Sequence, residues 1–562
     1  MLRIVLRTFA VLAAFLPAAC GSGTTIGGAP APSQGSTTGP TGGQTPGASA
    51  TQTPPAGSKP TASAAPTASP AGGATPSPGP TSSTLDLTCD TAPYPSTTYV
   101  QCETINYAMV SEAPAEQTQP AFVTALASQS TVNTQQWLAR AEADSSWLDP
   151  LSGNTPQTPL CTTWGANCVG DPFRYANVAG PQGTAFYSQA TVIPFVVYDS
   201  GCARMSGRVW APASSAPGNA LPNVVIENGS IEAPETLYWW AAQALVLDGY
   251  VVMTFDPRGQ GRSDEQTPTG VQGGNINDTV FESGLVDAID FFHSSPSKPY
   301  PNNVTCKETY PTTVAPYNPF WNRIDPNRLG IAGHSAGAAG VSIVQGYGGP
   351  GAAPWPGKID SMNPVKVAVA WDGLLGPAGG DVGGIGSQST AGDPKFTARV
   401  PAMGNSSEYG LAPTLFATPP PAELHKAAFD QWVAAGTPVY EFTIRGSSHY
   451  DFSPITGFPA TSWCPDAAAT ECSDGWGNPM SEYYTLAWFD RWLKLSGEAG
   501  YADADARLLD DNGPQGRNKM SWHFHSARSY PDRNGVMNVC SNIRSGCADT
   551  GNGPNVRLPN RR

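Results

Sequence analysis

Arg328-Leu-Gly-Ile-Ala-Gly-His-Ser335-Ala-Gly-Ala-Ala-Gly340 decides how the rest of this chain is read. Leu329 to Ala332 is a short apolar run of strand type. Gly333-His334-Ser335-Ala336-Gly337 follows with the spacing G-x-S-x-G, and a helix of small residues opens behind it. Such a turn lifts one hydroxyl clear of a sheet, and its glycines permit a strand–helix approach that a side chain would block. The pattern alone says little. With 61 Gly in 562 residues, about half a match is expected by chance, and the bland alternative is a Gly-rich turn with an idle serine. The flanking sequence must supply the weight.

Outward from the elbow, apolar runs alternate with amphipathic stretches. Strands are predicted over 190–198, 203–211, 223–226, 250–255, 329–332, 365–370, 399–403 and 439–444. Helices are predicted over 235–247, 278–293, 422–435 and 480–495. This alternation predicts an α/β fold with a mostly parallel sheet covered by helices on both faces. Functional groups in such sheets gather beyond the carboxyl ends of the strands. Asn228, Asp256, Ser335, Asp372 and His449 each follow a predicted strand, so all are expected along one rim.

Chemistry assigns roles among them. A serine hydroxyl needs a base to become a nucleophile, and histidine is the side chain poised for that near neutral pH. Of the six histidines, His449 follows a late strand through the turn Gly446-Ser447-Ser448. His334 is held by the elbow and is expected to point elsewhere; His293 ends a helix, His425 lies in one, and His523 and His525 come after the domain. The base in turn needs a carboxylate to set its tautomer. Asp372 is the preferred acid, and Glu408, in Asn405-Ser-Ser-Glu408, is the alternative. Asp256 is expected to be structural, pairing as a solvated charge with Arg258 or Arg262.

The order Ser, Asp, His along the chain, with Phe255-Asp-Pro-Arg-Gly-Gln-Gly-Arg-Ser263, Gly333-His-Ser-Ala-Gly337, Ala370-Trp-Asp-Gly373 and Gly446-Ser-Ser-His449, resembles the α/β-hydrolase family. The likeness covers about 190–495. Within the family it is to the branch of platelet-activating-factor acetylhydrolases, dienelactone hydrolases and cutinase-like polyester hydrolases. The resemblance implies hydrolysis of a small-molecule or polymeric ester through an acyl-enzyme, without a cofactor or metal. It favours Asp372, which stands after the strand following the elbow strand, as that branch has it. It also implies an oxyanion hole built from the N–H of Ala336 and the N–H of Ser230. The branch has His-Gly before the second donor, where this chain has Asn228-Gly229. A prolyl-type peptidase and a non-catalytic binding protein on the same fold are the alternative readings. Tyr238, Trp239, Trp240, Trp371, Tyr409 and Tyr450 are either an apolar substrate site or ordinary core.

The beginning of the chain reads as an export signal over 1–20: Arg3 and Arg7, the apolar run Phe9 to Leu16, then Pro17-Ala-Ala-Cys20. Cys20 stands where a lipidated cysteine is expected. Pro17 departs from the aliphatic residue usual there, which leaves ordinary release as the alternative to a lipid anchor. Residues 21–84 are almost all Ser, Thr, Pro, Gly and Ala with Lys59 as their single charge, too polar to fold, and read as a tether. Residues 85–186 read as a loop-rich elaboration with a helix near 120–148, 187–496 as the main domain and 497–562 as an extension. Beyond Cys20 ten cysteines remain, and in an exported chain they predict disulfides. Spacing suggests 89/102, 161/168, 464/472 and 540/547, leaving 202/306. The aspartates at 503, 505, 510 and 511 lack the spacing of a calcium loop and read as a solvated face. A net charge of −14 with 13% charged residues argues against nucleic acid or anionic lipid as partner.

Overall fold

The computed structural model describes residues 88–117, 139–148, 186–230, 234–274, 279–375, 381–382, 385–386, 397–453, 477–547 and 557–559. The leader, the tether and most of the helix expected near 120–148 lie outside these residues. None of the described helices is long and apolar enough to cross a membrane.

Eleven strands form one sheet: β1 (Ala190–Tyr198), β2 (Arg204–Pro212), β3 (Leu221–Glu227), β4 (Val251–Asp256), β5 (Ile324–His334), β6 (Val365–Trp371), β7 (Ala402–Ser407), β8 (Val439–Ile444), β9 (Ala527–Pro531), β10 (Val536–Cys540) and β11 (Arg557–Pro559). They lie in the order β1-β2-β4-β3-β5-β6-β7-β8-β9-β10-β11. The six strands from β4 to β8 run parallel, and antiparallel strands extend the sheet on both sides. Every residue of β4 and of β8 is buried, as expected for parallel strands covered on both faces. The pleat sorts their side chains between two cores. Val251, Met253 and Phe255 of β4 face one with Leu285, Ile289, Val341 and Trp432. Val252 faces the other with Trp240, Leu245, Tyr484 and Trp488. The first core carries α3 (Thr279–His293), α4 (Ala336–Val344) and α5 (Ala427–Ala434), and the second α2 (Trp239–Leu247) and α6 (Gly477–Leu493). This is the α/β-hydrolase fold.

The strands and helices expected in 187–496 are present with small shifts at their ends. Two parts of the fold were not anticipated. The first is α1 (Thr97–Gln117), in a region read as loop. Its buried side mixes Tyr99, Cys102 and Val110 with Glu103 and Asn106, while Val100 and Ile105 are exposed. Glu103 accepts from the His523 ring at 2.6 Å and from the Phe416 N–H at 2.7 Å, so the helix docks partly through hydrogen bonds and its apolar stripe is interrupted by polar residues. The second is β9 to β11. They continue the sheet past β8 with short segments that include Arg528 and Pro531. Arg528 is fully buried, with Asp511 on its guanidinium. Asp505 likewise pairs with Arg491 of α6 at 3.0 Å, so these two aspartates close ion pairs, one of them to the main domain, where the sequence suggested a solvated face.

Disulfides join Cys89 to Cys102, Cys202 to Cys306 and Cys540 to Cys547. The suggested pairs 161/168 and 464/472 lie outside the described residues.

Candidate active site

Register places the rim residues side by side. His334 at the end of β5 is opposite Trp371 at the end of β6, and Trp371 is opposite Asn405 on β7. Each next residue continues the ladder. The Ser335 N–H donates to the Trp371 carbonyl at 3.2 Å, and the Asp372 N–H donates to the Asn405 carbonyl at 2.6 Å. Ser335 and Asp372 therefore leave neighbouring strands at the same height. Both sit at positive φ, 57° and 52°, a region that costs a residue with a Cβ about 1–2 kcal/mol. Strain of this kind persists only where the surroundings impose it.

For Ser335 the imposing feature is the packing of α4 beneath β3. A Cβ on Gly337 would lie 2.2 Å from the Asn228 carbonyl oxygen, and one on Gly229 would lie 3.2 Å from the Ser335 Cβ. Gly337→Ala is expected to destabilise the fold by about 1–3 kcal/mol, the usual cost of overpacking, and to turn the elbow away from the loop after β3. Thermal unfolding together with ester turnover per folded molecule checks this; an unchanged melting midpoint would contradict the close approach.

The Asp372 carboxylate is buried and three donors converge on it. The Ser407 N–H reaches Oδ1 at 2.7 Å, the Ser407 hydroxyl reaches Oδ2 at 2.8 Å, and His449 Nδ1 lies 2.5 Å from Oδ2. Burial alone would push this carboxyl up; the His449 and Ser407 bonds outweigh it and hold it below its ordinary value of 3.8. The stabilisation they contribute is present above that ordinary value and is lost as pH falls through the lower value of the folded state.

His449 opens a short turn, His449–Phe452, after β8. Its height is set by a zipper between this turn and the loop after β7. The His449 N–H donates to the Gly410 carbonyl at 3.0 Å and the Tyr409 N–H to the Ser447 carbonyl at 3.0 Å. Glu408, the alternative acid, belongs to this zipper and does not bond to His449. Its Oε2 accepts from Asn106 Nδ2 at 2.5 Å and from the Gly446 N–H at 2.6 Å, and its Oε1 accepts from the Ser521 hydroxyl. It ties α1 and the C-terminal segment to the turn that leads to His449.

Asn228 and Gly229 extend β3 towards Ser335. Asn228 Nδ2 donates to Asp256 Oδ1 at 2.8 Å, and the Gly229 N–H donates to the Tyr238 hydroxyl at 3.0 Å. Asp256 is structural, as expected, but it is fully buried where a solvated charge was expected, and among the described residues no guanidinium hydrogen-bonds to its carboxylate. It accepts from the Glu235 N–H at 2.6 Å and the Arg262 N–H at 2.8 Å, while the Arg258 guanidinium goes to Asp199 at 2.9 Å. Burial, with Glu235 nearby, pushes the Asp256 carboxyl up. It braces the loop after β3, the support that the missing His-Gly pair left open. Ala336 is the first residue of α4, and a helix's first N–H groups have no partner within it.

Four of the six aromatic residues fall on the packing side of their two readings. Tyr238, Trp239, Trp240 and Trp371 belong to the core that carries α2 and α6. The indole N–H groups of Trp371 and Trp240 donate to Thr485 Oγ1 and the Phe452 carbonyl, each at 3.0 Å. The sequence reading also set His334 aside, whereas its ring centroid lies 4.5 Å from that of His449. It missed Ser407 as well, although it had singled out the loop that holds it for the acidic residue next door.

No family model and no curated protein matches the chain. Among solved structures it is similar to a ferulic acid esterase from Streptomyces cinnamoneus, at 15% identity over 55% of this chain and 92% of that one, with a TM-score of 0.32. It is similar to a protein assigned as a dienelactone hydrolase from Klebsiella pneumoniae subsp. pneumoniae, at 15% identity over 54% of this chain and 100% of that one, with a TM-score of 0.30. It is also similar to the esterase Est22, at 13% identity over 50% of this chain and 77% of that one, with a TM-score of 0.30.

Proposed function

We propose that this chain is an exported serine hydrolase that cleaves carboxylic esters through an acyl-enzyme, with Ser335 as nucleophile, His449 as base and Asp372 as the acid that orients the base. The single observation that carries the reading is the 2.5 Å contact between His449 Nδ1 and Asp372 Oδ2, on the rim where Ser335 stands strained at the tip of its elbow.

The chemistry follows from the donors. A carboxylate only accepts, so His449 Nδ1 carries the hydrogen of that contact and Nε2 is left with a lone pair. Nε2 takes the Ser335 proton as Oγ attacks the ester carbonyl, and the imidazolium so formed is stabilised by Asp372. The carbonyl oxygen becomes an oxyanion held by the N–H groups of Ala336 and Ser230. The Gly229 N–H is committed to Tyr238, which makes Ser230 the donor of that loop. His449 then protonates the leaving alcohol, and water repeats the sequence on the acyl-enzyme to release the acid. Disulfides among the described residues support an oxidising compartment.

The test is reaction of the purified protein with a fluorophosphonate, followed by mass mapping of the adduct, beside turnover of p-nitrophenyl esters of graded acyl length. An adduct on Ser335 with turnover of at least the shorter esters is the expected result. A protein that takes no adduct and turns over no ester is not a serine esterase.

A further inference from the structure

His334 stands one residue before the elbow serine and has no part in the steps above, yet both its ring nitrogens are engaged. Its Nε2 lies 2.9 Å from the His449 carbonyl oxygen and its Nδ1 lies 2.9 Å from the Tyr238 hydroxyl. A carbonyl oxygen only accepts, so Nε2 bears the hydrogen. In a neutral imidazole Nδ1 then accepts, and the Tyr238 hydroxyl is its donor. The ring stays neutral because burial, with His449 next to it, holds its pKa well below the ordinary value. The Tyr238 oxygen in turn accepts the Gly229 N–H at 3.0 Å.

These bonds form one unbranched run in which every hydrogen points the same way: Gly229 N–H to Tyr238, Tyr238 to His334, His334 to the carbonyl of His449. One end is the loop that supplies the proposed Ser230 donor, and the other is the backbone of the proposed base. Tyr238, His334 and His449 are all buried, so water does not compete for these partners. Tyr238 is held flat against Trp371, with ring planes 6° apart and centroids 6.4 Å apart. Trp371 immediately precedes Asp372, so the run is anchored on the strand end that carries the acid.

We propose that Tyr238 and His334 are positioning residues that fix the oxyanion loop and His449 relative to each other, on either side of Ser335. The proposal rests on the catalytic reading given above. Phenylalanine and leucine would fill the same volume as core, but they would break the run and let the loop and the base settle independently. A base or donor displaced by a fraction of an ångström loses rate without losing substrate affinity.

Tyr238→Phe, His334→Leu and the double variant test this beside the wild type, in the full chain. The readouts are kcat and KM for a short p-nitrophenyl ester, the rate of fluorophosphonate labelling, and the folded fraction by circular dichroism. Tyr238→Phe is expected to lower kcat and the labelling rate at least about tenfold, with KM held within about twofold. The double variant is expected to be no slower than His334→Leu alone, because a run broken once has little left to lose. Tyr238→Phe keeps the ring and its packing, so it decides the matter even if His334→Leu does not fold. Unchanged kcat and labelling in folded Tyr238→Phe would overturn the relay alone. So would a change confined to KM or to thermal stability. A wild type that is neither labelled nor active would overturn the catalytic reading and the relay with it.

Discussion

Ser335→Ala is expected to lower kcat for a short p-nitrophenyl ester by about a millionfold and to abolish fluorophosphonate labelling, while the protein remains folded. The hydroxyl is the only atom removed. Without it His449 has no proton to take, and the oxyanion donors act on nothing but the direct attack of water, which leaves a residual rate of about a thousandfold over solution. The fold has no reason to suffer. Ser335 is buried, its backbone N–H is bonded to Trp371, and alanine keeps the Cβ that abuts Gly229. Stability should move by no more than about 0.5 kcal/mol, as for changes that disturb no packing. Ser335→Gly sharpens the point. Glycine adopts φ 57° without the cost that falls on a residue with a Cβ, so this variant should be equally inactive and more stable by about 1 kcal/mol. A protein stabilised by losing its nucleophile carries strain kept for chemistry. Retention of ester hydrolysis by either variant, with contaminating hydrolases excluded by labelling, would remove Ser335 from the mechanism.

Much of this site could be read from the chain because its parts are local. A strand end, a turn and one polar residue are contiguous in sequence, and each of Ser335, Asp372 and His449 follows a largely buried strand whose run has few alternative folds. The bracing of the site could not be read, because it joins positions far apart in the chain. Tyr238 meets His334 across 96 residues, and Asn106 meets Glu408 across 302. The same reason hid α1 and β9 to β11. Their burial rests in part on polar partners such as Glu103 with His523 and Arg528 with Asp511, and buried polar residues interrupt the hydrophobic period in a sequence. The partners of Asp256 escape the sequence for a related reason. Its neighbours Arg258 and Arg262 suggested an ion pair, whereas backbone N–H groups, which are invisible in composition, took its oxygens.

The choice between the two carboxylates yields the second large effect. Asp372→Asn is expected to lower kcat by about ten-thousandfold, and Glu408→Gln to leave kcat within about an order of magnitude while lowering stability. The argument for Asp372 turns on Ser407, which donates its N–H to one carboxylate oxygen and its hydroxyl to the other. An asparagine placed there must give its single carbonyl oxygen to the Ser407 N–H, since its amide would otherwise meet that N–H donor to donor. Its NH2 then faces His449 Nδ1 and forces that nitrogen to accept. The hydrogen of the neutral ring moves to Nε2, the atom that has to receive the Ser335 proton, and the base is disabled by its tautomer with its position unchanged. Glu408 has no such lever, because its oxygens are occupied by Asn106, Gly446 and Ser521. Glutamine there loses one acceptor and leaves one buried donor unpaired, worth about 1–3 kcal/mol of stability, and it loosens the turn that carries His449 without altering the ring. The two variants therefore separate on different axes: turnover per folded molecule collapses in Asp372→Asn and melting temperature falls in Glu408→Gln. If Glu408→Gln lost activity in proportion to Asp372→Asn while remaining fully folded, the acid would have to be reassigned, and the 2.5 Å contact of His449 with Asp372 would describe a resting arrangement that is not the working one.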